Sequence, residues 1–598
     1  MNRSLGWLAL FSIVAGVALS SARPVAQAPS PTAAAVKPAW TPEQITGVLE
    51  RTQTIRLAPD ITHLSSGERQ AVDKLIEVGR IFQDLYELQR HRAAPVVRKA
   101  VAADEQLGTL YRLFQGPIGV TLDNARTPFV NVDEAPPGKN VYPWDLTRQE
   151  YDGFLARHPD RRAELTHLRS VVRRADAGSL ARDREILERH PALDTLHPGL
   201  GARLARLSGA PDRTRLYAVP YSVAYADEMF SAHRLLNEAA DAVEEDDEEF
   251  ARYLRNRSRD LLSDDYESGD AAWITGRFRN LNAQIGAYET YDDELAGIRA
   301  FYSLNVLATR REETDALRRA LGGIQAVEDA LPYDRRKRIR EDIPVGVYDV
   351  VADFAQSRGG NTATILPNEA YLARRYGRTI LLRANIMRSP EIFETVNASW
   401  AAAVAPAFAP HLTADSNFHR TLWHEVGHYL GVDRSADGRD LDVALGSTAN
   451  LIEEMKADLV SLFAGPELHR RGYFTVEQLR SHRASGIYRT LQSNRPRRDQ
   501  AYQTMQLMQF NWFLDKGVLT FDRSAARLGI DYDRYQDAVA GLLREVLAVQ
   551  SQGDEASAEV FIKRWTSWDD GLHGRIAANM RDQQRWRYRL FTYAAIDP

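Results

Sequence analysis

Residues 424–428 read His424-Glu425-Val426-Gly427-His428, and residues 453–458 read Glu453-Glu454-Met455-Lys456-Ala457-Asp458. At 3.6 residues per turn the two histidines of the first string stack on one helix face, with Glu425 beside them where it can reach a water activated by a metal. Such a string is short enough to arise by chance in 598 residues, so the rest of the chain must supply a third ligand. The spacing predicts a helix that starts at Asp415 or Ser416, turns Phe418, Leu422 and Val426 toward a core, and stops at Gly431.

Two routes to the third ligand follow. In the pattern HExxHxxGxxH/D, Gly431 occupies the Gly position, but Arg434 stands at the terminal ligand position and Asp433 falls one residue early. A cation there repels a metal. The second route is the helix around the second string. Leu451, Met455 and Leu459 form one apolar line, which leaves Glu454 and Asp458 together on a neighbouring face one turn apart. One carboxylate can bind a metal while the other orients a ligand, and Asp458 is spaced to accept from His424 or His428. Alone, this helix reads as a solvated Glu/Lys/Asp surface; 26 residues separate His428 from Glu454, and that neighbour favours the ligand reading.

The bulk composition narrows the chemistry. With 44% apolar and 26% charged residues the chain can bury sizeable cores, and a net charge of −5 gives no basic footprint for nucleic acid. The absence of cysteine excludes disulfides, a lipidated Cys anchor and thiolate ligands. A metal site must therefore use His and carboxylates, a donor set that favours zinc. Residues 1–22 combine Arg3, an apolar run from Leu5 to Leu19 and small residues Ser20 and Ala22, as in a secretory signal peptide. A retained anchor is the alternative. No second apolar stretch has that length, so no stable membrane insertion is expected after cleavage, and the location is secreted, in the periplasm. Residues 23–40, rich in Pro and Ala, read as a flexible leader.

Residues 41–210 are largely amphipathic helix without a readable motif. Residues 211–400 hold an apolar run at 215–225, an acidic block at 244–249 that reads as a solvated helix start, and strands near 284–291, 345–353, 362–368 and 379–385. Beyond 415 the chain reads as helical nearly to its end. The expected fold is a mostly helical α+β protein in two lobes: a mixed α/β lobe over 211–400 with a small β core, a helical lobe over 401–598 carrying the metal site, and a cleft between them.

The two strings together resemble the dipeptidyl-peptidase III family of zinc metallopeptidases, in its branch with a five-residue HExxH motif followed by an EExxAD/E helix. LNAQIGAYETYDDELAGIRAFY (281–302), TILPNEAY (364–371) and FNWFLDKGVL (510–519) are also similar to family blocks. The resemblance implies that His424, His428 and Glu454 hold one zinc ion per chain, that Glu425 is the base, and that Glu453 and Asp458 support the ligands. It implies that Glu289 and Asn368 bind the amino terminus of a peptide substrate, and that Tyr291 stabilises the tetrahedral intermediate. Two positions depart from the pattern. Ile365 stands where many members have Asn and cannot hydrogen-bond through its side chain. Tyr502 stands where a His usually assists, with Gln506 as the less sure neighbour; its hydroxyl can donate to an oxyanion but, at a pKa near ~10, shuttles no proton at neutral pH.

Other residues receive structural readings. His419, His469, His482 and His573 have no partner at ligand spacing, Arg495, Arg497 and Arg498 form an exposed turn around Pro496, and Trp423 packs behind the metal. Two alternatives to a dipeptidyl peptidase stay open: a peptide-binding protein that keeps the zinc fold without turnover, and a zinc endopeptidase of other specificity. Oligomeric state is not set by the sequence.

Overall fold

The computed structural model describes residues 36–334, 336–339, 343–367 and 369–597. A mixed five-stranded sheet contains β1 (Leu281–Glu289), β2 (Phe301–Thr309), β3 (Val345–Ala355), β4 (Ala363–Leu366) and β5 (Thr379–Arg383) in the order β1-β2-β3-β5-β4. Neighbours are antiparallel except β3 and β5, which run parallel with Val345 opposite Ile380. Every residue of β1 and β2 except the last is buried, as in strands covered on both faces. That burial removes the apolar–polar alternation that marks a half-covered strand; β1 is nonetheless among the expected strands, and β2 is not.

Two large apolar cores meet at this sheet. Side chains alternate across a strand, and on β5 the alternation divides them: Leu381 joins the first core, Ile380 and Leu382 the second. The first core receives helix α1 (Ser66–Arg90), which lies against β2 and β3. Gly79 permits the approach, since a Cβ there would stand 2.2 Å from the Phe354 ring. Leu75, Phe82, Tyr151 and Val172 thus share one core with the sheet. The second core is built by helices beyond Arg311, the motif helix among them. The result is the expected two-lobed α+β fold.

Some segments differ from the sequence reading. Residues 36–40, read as the end of the leader, pack onto the domain: Ala39 N donates to Phe129 O at 2.9 Å, and Trp40 is buried against Phe114 and Phe129. A hairpin (Leu519–Asp522 with Arg527–Ile530) and a final strand (Tyr588–Tyr593) interrupt the region read as helical. The final strand pairs in parallel with Thr52–Leu57, from the other end of the chain, a pairing that local periodicity does not reveal. The acidic block does begin a helix, Glu248–Ser263, whose N-cap Asp247 accepts from Phe250 N at 3.0 Å. Among the described residues no helix is long and apolar enough to cross a membrane. The signal segment 1–22 lies outside the described residues.

Candidate active site

The motif helix α2 (Ala414–Gly427) packs directly on α3 (Ala449–Arg470). Phe418, Leu422 and Val426 on one, and Leu451, Met455 and Leu459 on the other, are buried as expected. The axes approach closely because Gly427 has no side chain: a Cβ there would lie 2.6 Å from the Ala457 carbonyl oxygen. Helix α2 starts at Ala414, one residue before Asp415, and ends at Gly427 rather than at Gly431, so His428 is its C-cap. The chain tightens there into turns, with Tyr429 N donating to Val426 O at 3.0 Å and Leu430 N to Gly427 O at 3.2 Å. The buried Lys456 of α3 donates to the carbonyls of Gly427 (2.9 Å), Leu430 (2.9 Å) and His428 (3.4 Å), satisfying the acceptors that a helix end leaves orphaned.

His424, His428 and Glu454 bring one ligand atom each within 4.8 Å of one another. His424 Nε2 lies 3.2 Å from Glu454 Oε2, and His428 Nε2 lies 3.8 Å from Glu454 Oε1. Both rings therefore aim the same nitrogen at one carboxylate. Behind them, Asp458 Oδ1 is 2.7 Å from His424 Nδ1 and Glu453 Oε1 is 2.9 Å from His428 Nδ1. Such acceptors fix the tautomer and orientation of a ligating imidazole; Asp458 serves His424 and Glu453 serves His428. Glu454 is 1% exposed, and its Oε2 has no well-aligned hydrogen-bond donor. A buried carboxylate facing two imidazole nitrogens suits a cation, and two nitrogens with one carboxylate form a catalytic zinc donor set. The residues present fit one zinc ion.

The supporting charges are themselves fixed. Arg420 Nη1 lies 3.3 Å and Arg489 Nε 3.4 Å from Asp458. Burial opposes ionisation of Asp458, but Arg489, His424 and Arg420 outweigh it and hold the carboxyl far below the usual range. At Glu453 burial is likewise outweighed, by Lys456 at 2.8 Å and by His428, and the carboxyl stays at about 2. Gln550 Nε2 donates to its other oxygen at 2.9 Å. Burial disfavours a charged His424, yet Asp458 and Glu454 outweigh it and raise the imidazole to about 9.

Arg420, Arg489, Lys456 and Gln550 complete the site without belonging to the motif reading. Arg420 precedes His424 by one helical turn and shares its face, so periodicity could have found it. Lys456 resembles an ordinary i,i+3 partner of a surface glutamate. Arg489 and Gln550 come from the helices Val476–Thr490 and Tyr535–Gln552 and leave no local signal.

Glu425 is half-buried and close enough to His424 and Tyr502 to act on both electrostatically. Tyr502, on α4 (Ala501–Asp515), donates its hydroxyl to Glu454, and the Arg489 guanidinium lies 5.7 Å from its ring centre. Burial and Glu454 push this phenol well above its ordinary range, so it remains a donor. Gln506 is tied to Gln492 at 2.8 Å. Glu289 ends β1, and Tyr291 is 61% exposed; desolvation around its phenol and the neighbouring Glu289 carboxylate push it above its ordinary range. Asn368 lies outside the described residues. Ile365 sits on β4 opposite Ile380 and packs against the second core. Arg434 pairs with Asp440 at 3.0 Å and Asp433 with Lys337. His469, His482 and His573 have partners in Phe474 O (2.7 Å), Ser461 O (3.0 Å) and Asn511 Oδ1 (2.9 Å). Trp423 packs on Tyr473.

No protein-family model matches the chain. Its structure is similar to that of dipeptidyl-peptidase III from Caldithrix abyssi, with a TM-score of 0.76 over 92% of this chain and 99% of that one at 22% identity. Dipeptidyl-peptidase III from Corallococcus sp. strain EGB gives a TM-score of 0.67 over 91% and 96% at 21% identity. In sequence the chain is 23% identical over 562 residues to Nudix hydrolase 3 of Arabidopsis thaliana, covering 86% of this chain and 70% of that protein. The chain has the dipeptidyl-peptidase III fold, as the resemblance of its motifs implies.

Proposed function

We propose that this protein is a zinc-dependent peptidase that releases dipeptides from the free amino terminus of short peptides. The reading is carried by the convergence of His424, His428 and Glu454 within 4.8 Å, with Glu425 on the same helix as the histidines. Those three residues would hold one zinc ion, which when bound polarises a peptide carbonyl and acidifies a water. Glu425 takes the proton of the attacking water and returns it to the leaving amine nitrogen.

Glu289 offers negative charge to the substrate ammonium, with Asn368 as its partner; Ile365 contributes no hydrogen bond. An ammonium on Glu289 neutralises the carboxylate that lies beside the Tyr291 phenol. The exposed Tyr291 hydroxyl donates to the carbonyl oxygen as its charge develops. Tyr502, bonded to Glu454, keeps that carboxylate oriented. The leader read in residues 1–22 supports a secreted or periplasmic location.

The test is incubation with dipeptidyl arylamides, longer free peptides and their N-acetylated twins, with and without a chelator. Dipeptides released from free peptides alone, abolished by chelation and restored by zinc, are expected. Internal cleavage of the blocked peptides would favour the endopeptidase, and cleavage of none would favour the peptide-binding protein.

A further inference from the structure

Residues 41–210 carry no motif, yet they grip the stretch that contains Glu289-Thr290-Tyr291 from several sides. The β1–β2 register slips between Ala287 and Glu289, leaving a bulge at Tyr288, and bulges beside sites re-aim the side chains that follow them. Arg169 reaches this point: its Nε donates to the Ala287 carbonyl at 3.0 Å and its Nη2 to Glu369 Oε1 at 2.8 Å. Arg169 is 3% exposed, and its guanidinium lies 3.6 Å from the centre of the Tyr266 ring. Beyond the bulge, Tyr142 donates to Asp293 at 2.9 Å, and Tyr86 to Asp292 at 3.1 Å. Asp293 also accepts the backbone N–H groups of Leu295, Ala296, Ile298 and Arg299 at 2.8–3.1 Å.

From this geometry we infer that Arg169 is a positioning residue for recognition of the substrate amine, joining the bulge before Glu289 to the segment at Glu369. The inference rests on the proposed dipeptidyl reading, in which Glu289 and the Leu366-Pro367-Asn368 segment meet the ammonium. One planar guanidinium spans both segments through two nitrogens in fixed geometry. A lysine ammonium is a point donor on a flexible stem and cannot reproduce that fork. Residues 41–210 thereby acquire a part in specificity.

The experiment uses the full chain with zinc and the Glu425→Gln background, so that peptides bind without cleavage. Calorimetry gives the Kd of a tetrapeptide and of its N-acetylated twin for this protein, for Arg169→Lys and for the milder Glu369→Gln. A preference for the free amine in the background protein is expected, reduced 10-fold or more by Arg169→Lys and less by Glu369→Gln, with zinc affinity unchanged. A background protein without that preference would overturn the amine reading and this inference with it. A clear preference that survives both substitutions within two-fold would overturn the role of Arg169 alone. An equal loss of affinity for both peptides would mark Arg169 as merely structural.

Discussion

Glu425→Gln is expected to lower peptide hydrolysis by about 10²–10⁴-fold, the span that a positioned acid–base group contributes, while zinc stays bound. Gln has the size of Glu but cannot accept the water's proton, and Glu425 is not among the three residues whose ligand atoms converge. Its half-buried position predicts an unchanged melting temperature. Steady-state hydrolysis, zinc content and thermal unfolding on the same preparation check this. Hydrolysis retained within a few-fold would remove Glu425 from the chemistry; lost zinc would make it a ligand.

Lys456→Met is expected to weaken both the fold and the metal site. The Lys456 ammonium donates to the carbonyls at the end of the motif helix and pairs with Glu453, which holds His428 Nδ1. Methionine fills similar space and offers no donor, so the Leu430 carbonyl loses its partner at about 1–3 kcal/mol, while Gly427 keeps Leu430 N. Glu453 loses its cation at the same time, and loss of support behind a ligating histidine costs about 10–100-fold in metal affinity. Urea unfolding of the zinc-free protein separates the first effect from the second, which a chelating-dye competition measures. Unaltered zinc affinity with reduced stability would confine Lys456 to closing the helix.

The same residue shows where sequence was enough and where it was not. His424, His428, Glu454 and Asp458 were legible because they lie on two helices whose 3.6-residue period states which side chains share a face; Glu453 entered through family resemblance. Lys456 sits inside that second string, but its burial comes from the end of another helix. The end of that helix differs from its sequence signal: Gly431 has the positive φ expected of a helix stop, yet regular helix ceases at Gly427, where lysine supplies the donor. Strands β1, β3, β4 and β5 were readable from β-branched and aromatic runs. β2 was not, although it is buried as completely as β1, and the strands at 52–57 and 588–593 depend on each other across the whole chain. For the substrate side, Glu289 and Tyr291 entered through family resemblance; the bulge and Arg169 beneath them depend on tertiary contact.

The central claim is that His424, His428 and Glu454 form the metal centre, and metal content tests it most directly. Elemental analysis of the purified protein after exhaustive dialysis against trace zinc should give one zinc per chain. Glu454→Gln and His424→Ala, each shown folded by circular dichroism, should bind zinc at least 100-fold more weakly and emerge from that dialysis nearly free of it. Stoichiometric zinc retained by both folded variants would contradict the account.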